Sequence, residues 1–426
     1  MKNVLISTFD MEIGGVERSL INMLSEFDYK NNNLDLMLYS HSGDFLSLLP
    51  KGFNLLPEIK EYKTFRQGIG QVFKNGFYGI GCGRVLAKVI SLIKGKMNKS
   101  SEIGYYQMQL MWKYAIKYLP KMEKNYDVAI SYLWPHNFVA EKVNAKKKIA
   151  WIHTDFSTIE TNMEEDLKVW NKFDNIIAVS DECKNSFLNK YPSLKNKVFV
   201  IENITSPEFI KKMSEEDIEQ EFINDTSFKL ISVARLSHAK GIDNAVKALK
   251  ILKERGLYNI KWYVVGYGGD EPMIKALIKE NDLEDSFILL GKKTNPYPYM
   301  KKCDLYVQPS RYEGKAVTVV EAQILNKPVL ITNYPTAKSQ VKENYDGIIC
   351  ELSIEGIANK LEDLFYNRNI LNKIERNCKV TNYSNTDELE KLYKLFSQVP
   401  SIVILSLYLT SSLLSLSSLE SMFIYG

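Results

Sequence analysis

The sequence predicts an α/β protein of two doubly wound, Rossmann-like domains, and three observations indicate this fold class. The 426 residues exceed what one ordinary core holds, since a domain commonly has about 100–200 residues. Short apolar runs alternate with helical segments, as parallel strands covered on both faces require. The alternation is interrupted near residues 204–228 by SPEF and a polar, acidic stretch. We therefore predict an N-terminal domain at 1–205, a C-terminal domain at 206–398 and an apolar, Ser-rich tail at 399–426.

The strand candidates form two sets. In the first domain they are Val4–Thr8, Leu34–Tyr39, Val128–Leu133, Lys148–His153, Asn175–Val179 and Val198–Ile201. In the second they are Leu230–Ala234, Lys261–Val265, Phe287–Leu290, Leu305–Gln308, Val329–Thr332 and Gly347–Cys350. The predicted helices include Val16–Phe27, Asp243–Arg255, Pro272–Asn281, Val317–Leu325 and a closing helix, Leu389–Phe396. A ligand is expected in the cleft between the domains, at the carboxyl ends of the strands.

The composition excludes several classes of protein. Hydrophobic residues make up 45%, charged residues 25%, and the mean hydropathy is -0.21, which excludes a polytopic membrane protein and a disordered chain. The five cysteines are scattered without a CxxC pair, which excludes a disulfide scaffold or a zinc ribbon and fits a reducing compartment. Four histidines are too few for a His-rich metal centre. The start MKNVLISTFD lacks signal-peptide features, so we expect a cytoplasmic protein, and a net charge of +4 gives no reason to expect a nucleic-acid partner.

A basic segment interrupts the first domain. Residues 61–124 contain twelve Lys and Arg against three Glu, a net +9, which leaves -5 for the rest of the chain. Apolar residues recur there at helical spacing, namely Val85, Leu86, Val89, Ile90 and Ile93. Such a helix suits an anionic membrane surface, where each basic residue contributes ~1 kcal/mol. Alternatively, its apolar face packs in the core and its lysines are merely solvated.

The tail has a composition of its own. From Val399 to Leu419 there is no charged residue, over a length close to the ~20 residues that span a bilayer. Serine is interleaved throughout this stretch, and serine is costly in lipid. A weak anchor, a buried helix and a poorly ordered extension all remain open.

Glycines and cations follow two of the predicted strands. Gly14 and Gly15 precede a helix N-terminus, where backbone amides can approach an anion, although such pairs are common in α/β loops. Arg235 and Lys240 lie between a strand and the next helix, and together they suit a diphosphate. A surface Arg and Lys at a routine turn is the other interpretation. The following VVGYGG resembles a tight turn lining a nucleotide cleft, and no P-loop occurs.

The most specific segment is SRYEGKAVTVVEA, at residues 310–322. Its two glutamates, Glu313 and Glu321, stand eight residues apart, the first in a loop and the second in the next helix. Glu321 has apolar neighbours and needs a partner, for which a ribose diol is suitable. Glu313 would point into the cleft, and the amides of Ala316 and Val317 could hold phosphate oxygens.

Together, GG near the start, R…KG after a strand, VGxG and PSxxEGxxxxxxxEA resemble the retaining nucleotide-sugar glycosyltransferases of family 4, which have the GT-B fold. The resemblance spans about residues 1–395. It implies that Arg235 and Lys240 hold the donor diphosphate, that Glu321 binds the ribose and that Glu313 contacts the transferred sugar. It also implies that Gly15 lets its loop close over the phosphate.

The histidine of WIHTD, His153, ends a predicted strand. The resemblance implies that it contacts the donor sugar; without it, a lone histidine there is more often structural. Asp155 could orient His153 or bind acceptor. The sequence departs from the family's frequent EGFG, since Lys315 and Ala316 follow Glu-Gly, and this lysine bears on how the sugar is recognised.

The resemblance further implies a hexosyltransferase of bacterial capsule, exopolysaccharide or other surface-glycan synthesis. A UDP-sugar is the favoured donor and a lipid-linked or other glycan the acceptor, with retention and without a metal or other cofactor. We expect the protein to lie peripherally at the inner face of the cell membrane. A catalytically idle scaffold and a nucleotide-sugar epimerase of the same fold are the alternatives. Whether Glu313 acts as a nucleophile or supports an ion pair stays open.

Overall fold

The computed structural model describes residues 1–98, 103–157, 159–313 and 316–397. The chain forms two compact units, Met1–Ile204 with the described part of Thr386–Gly426, and Thr205–Asn385. The tail predicted at 399–426 lies outside the described residues. None of the described helices is long and apolar enough to span a membrane.

The first unit is built on one parallel sheet. Its strands are β1 (Lys2–Thr8), β2 (Asn32–Leu38), β3 (Asn54–Leu55), β4 (Asn125–Ser131), β5 (Asn144–Ile152), β6 (Asn175–Ala178) and β7 (Val198–Val200). They lie in the order β3-β2-β1-β4-β5-β6-β7, so the direction of winding reverses between β1 and β4. The register pairs Val4 with Leu34 on one side and with Val128 on the other.

Helices cover this sheet and extend beyond it. They are α1 (Gly15–Ser25), α2 (Lys60–Lys63), α3 (Ile69–Lys74), α4 (Tyr78–Asn98), α5 (Ile103–Ala115), α6 (Asn137–Lys142), α7 (Met163–Trp170) and α8 (Asp181–Lys190). The core is rich in aromatic rings; Phe65 stacks on Trp112 at 4.3 Å between centroids.

The second unit repeats the plan. Its strands are β8 (Phe228–Val233), β9 (Ile260–Val265), β10 (Phe287–Gly291), β11 (Leu305–Gln308), β12 (Val329–Thr332) and β13 (Ile348–Cys350). All pairs are parallel, in the order β10-β9-β8-β11-β12-β13, with the reversal between β8 and β11. The helices are α9 (Pro207–Met213), α10 (Gln220–Asn224), α11 (Ile242–Glu254), α12 (Glu271–Glu280), α13 (Tyr297–Lys302), α14 (Val317–Ile324), α15 (Ala337–Gln340), α16 (Ile354–Tyr366) and α17 (Arg368–Val380).

The two doubly wound parallel sheets confirm the predicted fold class. Every predicted strand is present, because each is a short apolar run with little polar interruption; most are buried, and β7 and β10 are only partly buried. Strand β3 was not predicted, since two residues carry no recognisable pattern.

The last described helix, α18 (Asp387–Ser397), belongs to the first unit, whereas the sequence placed it in the second. Its partners explain the difference. The Asp28 amide donates to the Tyr393 hydroxyl at 2.8 Å, and Lys147 Nζ donates to the Leu395 carbonyl at 2.7 Å. These partners are remote in sequence, so the helical pattern alone could not assign α18 to a unit.

Candidate functional site

The carboxyl edge of the second sheet carries the cations predicted to bind a diphosphate. The order of the strands reverses between β8 and β11, which are parallel neighbours. Ligands bind at such a point in open α/β sheets. The loops that follow the two strands are in direct contact. Gly241 has φ of 65°, and a Cβ there would lie 2.0 Å from the Pro309 carbonyl oxygen, so only glycine allows this approach.

An ion pair joins these loops. Lys240 Nζ lies 2.7 Å from both carboxylate oxygens of Glu313. Gln308 Nε2 and Ser310 Oγ also donate to Glu313 Oε1, at 3.0 and 2.7 Å. The Glu313 side chain is only 6% exposed, whereas Lys240 is 28% exposed. The structure therefore brings two of the predicted site residues together and leaves the lysine accessible.

Arg235 lies on the first of these loops, just after β8, and is exposed. Within the part of the chain that the structure describes, its guanidinium has no protein partner. The VVGYGG turn packs against this loop: a Cβ on Gly266 would lie 1.9 Å from the Ala234 carbonyl oxygen, and one on Gly268 would lie 2.2 Å from that of Leu236. The glycines thus position the Arg235 loop, and the arginine is available for a ligand.

The second glutamate of the motif is enclosed. Glu321 lies in α14 with no solvent exposure and accepts a hydrogen bond from the Tyr297 hydroxyl at 2.9 Å. Ala316 is the N-cap of α14 and Val317 its first residue. The first N–H groups of a helix have no acceptor within it, so this terminus can receive an anion. Gly314 and Lys315 lie outside the described residues.

Sequence reasoning missed a second ion pair at this edge. Arg311 donates from Nη1 and Nη2 to the two carboxylate oxygens of Asp243, at 2.8 and 2.6 Å. Burial alone would raise the pKa of Asp243, but the hydrogen bonds and charge of Arg311, together with the backbone amides of Asp243 and Asn244, outweigh it and lower that pKa. The Arg311 amide also donates to the Ala239 carbonyl at 2.8 Å. This pair fixes the Glu313 loop on the N-terminus of α11, and nothing in the local sequence indicates it.

In the first unit, the glycine pair lies at the start of α1. Gly15 is the first helical residue and is exposed, and a Cβ added to it would have no atom within 4 Å. Gly14 is the crowded one, because a Cβ there would lie 2.2 Å from Glu17 Oε2. Burial raises the pKa of this Glu17. The Glu17 carboxylate is the end of a flexible side chain, so packing against the backbone requires neither glycine, and the role of Gly15 in closing its loop over a phosphate stays a prediction.

His153 follows β5 and stands among aromatic rings. Its ring lies 4.6 Å from that of Tyr132 and is nearly parallel to Trp151 at 6.1 Å. Burial lowers the pKa of His153 to about 3, so the imidazole is neutral near pH 7. Its Nε2 atom is shielded from solvent and has no hydrogen-bond partner among the described residues. Asp155 instead accepts from the Ser157 amide at 2.8 Å.

The described residues contain no group of three or more His, Cys, Asp or Glu side chains arranged to hold a metal ion.

Comparison with known proteins finds a family model that matches most of the second unit. Residues 213–381 match the sequence model of the glycosyl transferases group 1 family. An uncharacterized glycosyltransferase of Methanocaldococcus jannaschii is 30% identical over 177 residues, covering 41% of this chain and 43% of that protein. The capsular polysaccharide biosynthesis glycosyltransferase CapM of Staphylococcus aureus is 27% identical over 244 residues, covering 52% of this chain and 61% of CapM.

A third relative is the N-acetylgalactosamine-N,N'-diacetylbacillosaminyl-diphospho-undecaprenol 4-alpha-N-acetylgalactosaminyltransferase of Campylobacter jejuni. It is 30% identical over 157 residues, covering 35% of this chain and 42% of that enzyme. The matched stretches therefore span about half the length of these relatives.

Solved structures match nearly the whole chain. HepE of Anabaena, in complex with UDP and glucose, has a TM-score of 0.60 at 17% identity and covers 93% of this chain and 100% of its own. WaaG, a glycosyltransferase involved in lipopolysaccharide biosynthesis, has a TM-score of 0.57 at 14% identity, with coverage of 92% and 99%. The chain has the GT-B fold.

Proposed function

We propose that this protein is a family 4 glycosyltransferase, a retaining hexosyltransferase that uses a UDP-sugar. Its acceptor would be a lipid-linked or other glycan of bacterial capsule, exopolysaccharide or other surface-glycan synthesis. The match to the group 1 family model and the names of the matched relatives support this proposal. It would act at the inner face of the cell membrane.

The Lys240–Glu313 pair is the observation that carries the proposal. Its lysine can exchange one carboxylate contact for a phosphate oxygen without leaving its place, because it is 28% exposed while its partner stays nearly buried. Arg235 adds a planar fork with no competing partner among the described residues. Two cations and the amides at Ala316 and Val317 suit the charge that develops on a departing diphosphate. On this account no divalent metal is required.

The two glutamates would contact the other two parts of the donor, the transferred sugar and the ribose. Glu313 holds Lys240 and presents its second oxygen toward the transferred sugar, either as a nucleophile or as support for an ion-pair-like transition state. Glu321 would bind the ribose hydroxyls, in exchange for its contact with the Tyr297 hydroxyl. Arg311 positions the loop that carries Glu313 and is not itself catalytic.

From the first unit, we assign His153 to the donor sugar and Gly15 to the loop that closes over the phosphate. A neutral imidazole with an unpartnered Nε2 suits a sugar hydroxyl, because it can accept a hydrogen bond without placing a charge beside the diphosphate.

Release of nucleotide from a panel of UDP- and GDP-sugars tests the proposal. We expect the wild type to release UDP from one donor and Lys240→Ala to lose at least about 100-fold of this activity. Lys301→Ala is the matched control, because Lys301 pairs with Glu215 at 2.6 Å on the same unit, away from the edge described above. Activity should persist with a chelator. No release from any donor would favour an idle scaffold, and an altered sugar without release would favour an epimerase.

A further inference from the structure

Helix α4 turns an apolar face toward solvent. Six large side chains, each between 41% and 66% exposed, form this outer apolar face: Tyr78, Val85, Leu86, Val89, Leu92 and Ile93. At helical spacing they fall on one side of α4 and extend along about 22 Å of it. Contiguous exposed apolar surface of this kind marks an interaction site more often than it serves the fold.

Packing of α4 within its own unit does not account for this face. The inner side of the helix buries Ile80 and Arg84 together with small residues that let its neighbours approach closely. A Cβ on Gly81 would lie 2.8 Å from the Phe73 ring, and one on Gly83 would lie 3.1 Å from Tyr114 Cβ. Ala87 on the same side is fully buried. The inner side therefore anchors α4, and the outer apolar face is not needed for that purpose.

The charge around the outer apolar face has one sign. Residues 62–101 contain eight Lys and Arg and no Asp or Glu. Of these cations, Arg84 is buried, and Lys63 and Arg66 are paired with Glu58 and Asp10. Lys88 is exposed on α4 itself, and Lys74 is exposed at the end of α3, which precedes it. Lys117 stands over the ring of Tyr118, and Tyr118 packs against Gly79 near the start of α4. The surface thus combines apolar side chains with cations, which complements an anionic partner.

This charge also selects among the partners that an apolar face could take. A symmetric contact between two copies would place the same lysine-rich segment against itself, and like charges across an interface are costly. A bilayer with anionic headgroups offers the opposite charge and an apolar layer beneath it.

We propose that the outer apolar face of α4 docks on an anionic lipid bilayer, with its side chains at the level of the headgroups. The helix lies in the plane of the surface, and Lys74 and Lys88 contact lipid phosphates. The structure thereby favours the membrane interpretation of the basic segment over a helix buried on its apolar side. The inference does not depend on the proposed enzymatic activity.

Co-sedimentation with vesicles tests the proposal. The full chain is mixed with vesicles of phosphatidylcholine alone or with added phosphatidylglycerol, at low and high salt. We expect at least about tenfold stronger partitioning onto the anionic vesicles at low salt, falling as salt is raised. The double variant Val89→Glu/Leu92→Glu should lose at least about tenfold of this binding. Lys74→Gln/Lys88→Gln should lose mainly the dependence on phosphatidylglycerol.

The matched control is Tyr258→Glu/Val380→Glu, which replaces residues 75% and 78% exposed on the second unit and should bind vesicles like the wild type. Thermal unfolding of each variant checks that the fold is kept. The proposal is overturned if the wild type does not bind anionic vesicles, or if Val89→Glu/Leu92→Glu binds them equally well. If Val89→Glu/Leu92→Glu still binds the vesicles, the binding comes from a surface other than the outer apolar face, since residues 398–426 are unchanged in this variant. It is also overturned if light scattering shows a wild-type dimer that the variant dissociates while vesicle binding is unchanged.

Discussion

The two units share the order of their first six strands, with a seventh strand added in the first unit, yet the residues at their carboxyl edges differ in charge. The second edge presents the cations Arg235 and Lys240. At the carboxyl edge of the first sheet, Asp10 is buried and paired with Arg66. The neutral ring of His153 directly follows β5. A shared fold therefore does not fix function; the few side chains placed at the strand ends do. The difference predicts that phosphate affinity depends on the second unit and that sugar handling involves the first.

Glu313→Gln should have the largest effect on activity. It separates the role of Glu313 in transfer from the role of the cations of the second unit in UDP binding. The amide keeps the shape but removes the charge, so we expect transfer to fall about 1000-fold. Affinity for UDP should stay equal or rise, because Lys240 loses its competing carboxylate. Steady-state kinetics and calorimetry measure the two quantities. Glu215→Gln, which alters the exposed pair with Lys301, is the control. A parallel loss of UDP affinity and turnover would contradict the separate roles.

His153→Ala tests the first edge. We expect transfer to fall about 100-fold while the UDP dissociation constant is unchanged, since the imidazole is assigned to the sugar. Asp155→Asn should change turnover less than about threefold, because that carboxylate is engaged with the Ser157 amide. Equal losses in both variants would mean that Asp155 orients the histidine after all.

Arg311→Lys tests whether the loop that carries Glu313 must be fixed in place by the pair between Arg311 and Asp243. Lysine cannot reproduce the forked contact with Asp243, so we expect a loss of about 1–2 kcal/mol in the free energy of unfolding. The donor KM should rise about tenfold because the Glu313 loop is no longer fixed. Urea unfolding and kinetics of Arg311→Lys, Asp243→Asn and the double variant give the coupling between the residues. Additive effects would show that the pair is not a unit.

A pH series examines the neutral histidines of the first edge. Burial lowers the pKa of His136 and of His153 to about 3, below the ordinary value of 6.5. Their contribution to stability is present above pH 6.5 and is lost as pH falls toward 3, because the unfolded chain takes up the protons first. For the fully buried His136 the slope approaches about 1.4 kcal/mol per pH unit. Urea unfolding between pH 7 and 5 should show this decline, and His153→Gln should reduce it.

The sequence was sufficient for every strand except β3, but not for the contacts at the edges of the sheets. Buried strands such as Leu305–Gln308 are short, largely apolar runs, and Glu313 stands in a motif whose spacing is specific. The bond from Arg311 to Asp243 joins residues 68 apart, and no local pattern indicates it. Likewise, the spacing of apolar residues in α4 is the same whether that face is buried or exposed, so only the solvent exposure of these side chains in the structure decides the question.

The central claim is that Arg235 and Lys240 hold the diphosphate of the donor. Calorimetric titration of UDP and of uridine into the wild type, Arg235→Gln and Lys240→Ala tests it without any need for turnover. The account predicts that the wild type prefers UDP by at least about 100-fold and that each variant loses most of this preference. If both variants keep the wild-type preference for UDP over uridine, the diphosphate binds elsewhere and the account is wrong.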